Sequence, residues 1–131
     1  MKFLAMLCAI MCMSISAQTS DGDNIQNLLV APPYSDTIMG KKTLVDQTYL
    51  LMMQVALKPG QMVPQHMANS HVHIIVLEGN VIIDLAGKDI PAKKGDFVAI
   101  AFKTPMNIKN MSKEKATFVI IKSPNPSQME K

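Results

Sequence analysis

Short apolar runs broken by glycine, proline and asparagine dominate the chain from Thr48 onward. Thr48 to Leu57 (TYLLMMQVAL) is rich in large apolar and β-forming residues and stops at Lys58-Pro59-Gly60, a turn signal. His71 to Leu77 is a second run, closed by Glu78-Gly79-Asn80. Val81 to Leu85 follows at once, which predicts a hairpin around Gly79. Ala86-Gly87 turns the chain again, and Ile90 falls in a short strand before Lys93-Lys94-Gly95-Asp96. Phe97 to Ala101, Pro105 to Asn110 and Ala116 to Lys122 (ATFVIIK) supply three further strands. Upstream, Leu28-Leu29-Val30 reads as a short edge strand or a turn of helix. No segment keeps helical periodicity over a full helix length. Short strands at regular spacing predict an all-β antiparallel sandwich or small barrel, able to hold side chains or one small ligand.

The N-terminus follows a different pattern. Lys2 gives a positive start, Phe3 to Met13 an uncharged apolar stretch, and Ser14-Ile15-Ser16-Ala17 a small-residue end. Residues 1–17 are therefore expected to be a secretory signal peptide, since the apolar run is too short to span a bilayer. The expected organisation is that signal, a partly irregular lead over 18–42, a β-barrel over 43–122 and a loose tail over 123–131. An exported protein, periplasmic or secreted, follows, with no membrane association after cleavage. Cys8 and Cys12 both lie in the signal, so the mature chain would contain no disulfide and no thiolate site.

Charge narrows the partners. The formal net charge is +3, and the 13 basic residues are all lysine. Without arginine the chain lacks the side chain best suited to bidentate phosphate recognition. It also lacks a basic stripe interleaved with aromatics, so nucleic acid is not an expected partner. Lysines 41, 42, 93, 94, 113 and 115 fall in expected turns and read as solvated surface.

Candidate chemistry concentrates in one place. All three histidines, His66, His71 and His73, lie within eight residues. Imidazole is both the usual neutral metal ligand and the group that titrates near neutrality. Of the carboxylates, Asp96 sits in a Gly-Asp turn, where Asp commonly bonds nearby backbone, and neither it nor Asp84 is assigned a catalytic role. No nucleophile elbow, phosphate loop or Ser/His/Asp arrangement is present.

Pro59-Gly60, five residues, His66, and then Val76-Leu77-Glu78-Gly79 resemble the first sequence motif of the cupins. Lys94-Gly95-Asp96-Phe97-Val98-Ala99-Ile100 through Pro105 and Asn110 resemble the second. The two motifs and the segment joining them cover about half of the chain. The resemblance implies a double-stranded β-helix, or jelly-roll barrel. It also implies a homodimer, because small cupins often pair through their sheets.

Metal-binding cupins place His, a second His, an acidic or amide residue and a last His at four positions. Here the resemblance aligns those positions with His66, Ala68, Val72 and Met106. Side chains alternate along a strand, so an inward Val72 turns His71 and His73 outward. Ile74 and Val76 then join Val72 in lining an apolar, metal-poor pocket. The expected ligand-binding residues are His66, Ala68, Val72, Ile74, Val76, Phe97 and Met106, with His66 orienting a polar group of a small molecule.

A one-residue shift of register would reverse the faces. His66, His71 and His73 would then converge, and three imidazoles suit Zn, Cu or Fe, with the Met106 thioether favouring Cu(I). Such a site implies a metal-dependent dioxygenase or isomerase. Three readings therefore stand at this level: a binding module, a metal enzyme, and a structural protein without a ligand.

Overall fold

The computed structural model describes residues 25–129, so the expected signal peptide lies outside the described residues. Nine strands follow one another: β1 (Gly40–Gln47), β2 (Leu50–Leu57), β3 (Met62–Met67), β4 (His71–Glu78), β5 (Asn80–Leu85), β6 (Lys88–Lys93), β7 (Phe97–Ile100), β8 (Pro105–Lys109) and β9 (Ala116–Ser123). They form two antiparallel sheets, in the orders β1-β2-β9-β4-β7 and β3-β8-β5-β6. This is the all-β barrel expected from the strand pattern.

The core is built by alternation. On β4, Val72, Ile74 and Val76 are buried while His71 is exposed. On β9, Phe118 and Ile120 face the same interior and are aligned with Val76 and Ile74 respectively. Val81, Ile83 and Ile108 complete the opposite wall. Burying this side-chain set is the main favourable contribution to folding.

The expected hairpin around Gly79 does not form. β4 pairs with β7 and β9, whereas β5 pairs with β6 and β8, so Gly79 carries the chain from one sheet to the other. Its φ of +76° is in the region that suits glycine, and a Cβ there would collide with the Lys115 carbonyl oxygen. The tight hairpin lies one turn later. Ala86 and Gly87, both with positive φ, join β5 to β6 as the type I′ geometry requires.

β1 begins at Gly40, inside the segment expected as a lead, and Leu28 to Val30 form a turn, the second of the two alternatives expected there. That turn is tied to the barrel by the Gln54 side-chain amide, which donates to the Leu28 carbonyl at 2.7 Å. The C-terminal segment is also anchored. Asn125 donates to Asp46 at 2.7 Å, and Ser70 donates to the Pro124 carbonyl. The Asn125 side chain and the Pro124 carbonyl thus dock residues 124 and 125 onto the barrel.

Candidate functional site

β1 and β3 are edge strands of their respective sheets, and a cleft of about 330 Å3 opens where both contribute lining residues. Its floor is hydrocarbon and thioether: Val55, Val72, Met53, Met106 and Ile120. That volume lies at the small end of the range typical for small-molecule sites. An adjoining groove of about 630 Å3 shares Met39, Lys41 and Pro64 with it and runs on past Ile38 and Met62.

Beside the neutral Gln65, the titratable lining is basic. Lys41, His66 and Lys122 border the cleft, and no carboxylate does. Lys122 is there because period-two alternation along β9 carries the face of Phe118 and Ile120 on to residue 122. It pairs in register with Leu51 on β2 and with the buried Val72 on β4. Its ammonium donates to the Asn69 side-chain oxygen at 2.9 Å. Burial, and then the neighbouring Lys41 charge, lower its pKa from the ordinary lysine value of 10.5. Lys41 reaches the cleft from β1, where it is aligned with Val55.

His66 is aligned with Met106 across the β3–β8 pair, and both border the cleft. The His66 Nδ1 lies 2.8 Å from the Pro64 carbonyl oxygen. A carbonyl can only accept, so Nδ1 carries the proton and Nε2 is left with its lone pair in the neutral ring.

Of the other expected pocket residues, Val72 and Met106 line the cleft, whereas Ile74 and Val76 are packed in the core beneath it. Ala68 is also core, and its backbone is bonded to Thr104 and Lys103 at 2.8 Å each. Phe97 is a correction. It is 61% exposed, because β7 sets it opposite the outward-facing Ile75. There it stacks on His73 at 5.4 Å between ring centroids.

The histidines do not converge. β4 adopts the register with Val72 inward, which turns His71 and His73 to the outer face. His71 lies near Phe102, with ring centroids 6.4 Å apart, and His73 lies on Phe97. Among the described residues no three His, Cys, Asp or Glu side chains come together to hold a metal. The positions matched to the cupin ligand set therefore supply one imidazole, one thioether, a methyl and an isopropyl group, which do not fit the family's usual metal centre.

Sequence reasoning missed Lys41 and Lys122, having read the first as surface and left the second unassigned. The signal for Lys122 was the alternation Phe118, Ile120, Lys122, which predicts a lysine on the core-facing side. A second cleft of about 450 Å3 beside β5 and β6 offers less chemistry. Its charged groups, Lys93 and Asp96, lie 3.9 Å apart, and Asp96 also accepts from the Lys93 backbone. Asp84 similarly accepts from the Gly87 backbone at 2.8 Å, a turn role.

Comparison with known proteins bears on the fold and the family. A family model for the cupin domain matches residues 53–122, just over half of the chain. An uncharacterized protein of Methanocaldococcus jannaschii is 28% identical over 87 residues, covering 66% of this chain and 75% of that protein. The solved structure of that same protein, described as an RmlC-like cupin with a double-stranded β-helix fold, has a TM-score of 0.68 and 24% identity. It covers 76% of this chain and 92% of its own. An RmlC-like cupin from Desulfovibrio desulfuricans has a TM-score of 0.69 and 23% identity, over 76% of this chain and 95% of that one. The structural likenesses concern the fold alone. With its double-stranded β-helix and its matched motifs, the chain belongs to the cupin family.

Proposed function

We propose that this cupin is an exported binding protein for small organic acids with an apolar body. The observation that carries the reading is a hydrocarbon and thioether floor bordered by Lys41, His66 and Lys122, without a carboxylate among the lining residues. An apolar body gains by leaving water against Val55, Val72, Met106 and Ile120. An acid group at the rim gains charge-assisted hydrogen bonds from ammonium donors. Export rests on the N-terminal pattern of Lys2, the apolar stretch to Met13 and Ala17.

Calorimetric titration of the purified protein with phenylacetate and with 2-phenylethanol tests the reading, because the two share an apolar body and differ in charge. Phenylacetate is expected to bind, more weakly as salt rises. Lys41→Met is expected to weaken it roughly tenfold through loss of one charge-assisted contact. Equal binding of the alcohol, or binding of neither compound, would overturn it. Sequencing the N-terminus of the exported protein checks the other half, with Gln18 expected first.

A further inference from the structure

Lys122 has surroundings unlike those of the lysines that form ion pairs. Among the described residues, Lys58 pairs with Asp36, Lys93 with Asp96 and Lys94 with Glu78. Lys122 has a neutral acceptor, the Asn69 side-chain oxygen, and forms none of these ion pairs. The titratable groups that share its cleft are Lys41 from β1 and His66 from β3. The other strand residues that line it are Val63, Pro64 and the neutral Gln65 from β3, Met53 and Val55 from β2, Val72 from β4, Met106 from β8 and Ile120 from β9 itself. None of these side chains offsets a positive charge. A lysine in apolar surroundings beside a second cation is the arrangement that makes an amine nucleophilic near neutrality.

We propose that the Lys122 amine condenses with the keto group of a small apolar 2-oxo acid held in the cleft, forming an imine. This deepens, and rests on, the reading of the cleft as an acid site. The apolar body lies on the floor, the carboxylate meets Lys41, and the adjacent keto carbon is presented to the Lys122 nitrogen. The nitrogen lone pair adds to that carbon while the carbonyl oxygen takes up a proton. The resulting carbinolamine loses water, and the nitrogen gives up its two protons as the carbon–nitrogen double bond forms. No oxidant or reductant takes part. His66, whose Nδ1 is bound to the Pro64 carbonyl, keeps Nε2 free as a proton carrier for the dehydration. Burial, and then the Lys41 charge, lower the amine pKa, a direction consistent with this role.

The test is reductive trapping of the purified full chain with phenylpyruvate and cyanoborohydride, followed by peptide mass mapping. The expected result is a reduced adduct on Lys122 that forms roughly tenfold faster than on the exposed Lys93 or Lys113, because the cleft holds the keto acid against that amine. Phenylacetate, which has an acid but no keto group, should slow the Lys122 adduct and leave the others unchanged. Lys41→Met should slow capture at neutral pH and shift the rate profile to higher pH, because it removes the charge that lowers the Lys122 pKa. Adducts spread evenly over the lysines, or no competition by phenylacetate, would overturn the proposal. Phenylacetate binding without selective trapping sinks the imine and leaves the acid site standing. Failure of phenylacetate to bind sinks the acid site itself.

Discussion

The two ends of β9 face the same interior and meet different environments. Toward its start, Phe118 is wholly buried among side chains such as Val76, Ile83 and Ile108. Four residues later on the same face, Lys122 borders a cleft with Lys41 and His66. One strand with one alternation thus serves a filled core and an open, basic rim. A barrel selected only for stability would continue the hydrocarbon, because an ammonium inside a wall carries a desolvation cost. The contrast sets a filled, stabilising core apart from the rim that holds the proposed acid site.

The largest effect tests the filled end. Phe118→Ala removes a fully buried ring from a close-packed site and should cost about 3–5 kcal/mol, measured by urea denaturation. A loss under about 1 kcal/mol would mean that this end can collapse or rearrange, and the contrast with the rim would lose its basis.

The next test turns on the sign of the Lys122 contribution. A folded-state pKa below the unfolded one means that the charged amine opposes folding. That cost is present in full at low pH and falls as pH rises through the lowered folded value. It has vanished above the ordinary value of 10.5, where the amine is neutral in both states. Lys122→Met should therefore be more stable than the natural chain near neutrality, and the difference should narrow toward pH 10.5. A difference that stayed constant with pH would remove Lys122 from the set of rim cations that are costly to keep.

Much of the filled end was legible, and much of the rim was not, for related reasons. β4 and β9 are internal strands: on β4 the buried side chains recur with period two, as in Val72, Ile74 and Val76, and β9 is read from its continuous apolar run. β1 and β3 are edge strands. Each has a register irregularity, between Thr43 and Val45 and between Val63 and His66, and β3 contains Pro64. Bulges break the alternation, and proline is tolerated at an edge that needs no further ladder bond. The strands that hold Lys41 and His66 in place were therefore those least visible as strands. His66 and Met106 emerged through the cupin motifs, whereas Lys41 was hidden by the general rule that lysine marks surface. Gly79 misled for another reason. A Glu-Gly-Asn sequence suits a tight hairpin, and only the pairing of β4 with β9 and of β5 with β8 shows that the chain changes sheets there.

The smallest effect tests the separation of the two faces of β4. His73 and Phe97 form a diagonal cross-strand pair on the outer face, with rings 18° from parallel. Such a pair contributes about 0.5–1.5 kcal/mol beyond its buried area. His73→Ala should cost no more than that in urea denaturation, because the position is only partly buried and leaves little cavity. It should also leave phenylacetate affinity and Lys122 trapping unchanged, since the strand between His73 and the cleft is held by Val72 and Ile74. His66→Ala, on the cleft side, should weaken phenylacetate while changing stability little, because His66 is exposed. If His73→Ala weakened phenylacetate as much as His66→Ala, the two faces of β4 would be energetically coupled. The division between an outer aromatic pair and the proposed acid site would then fail, although β4 separates them only by its pleat, with His73 on the outer face and Val72 on the cleft side.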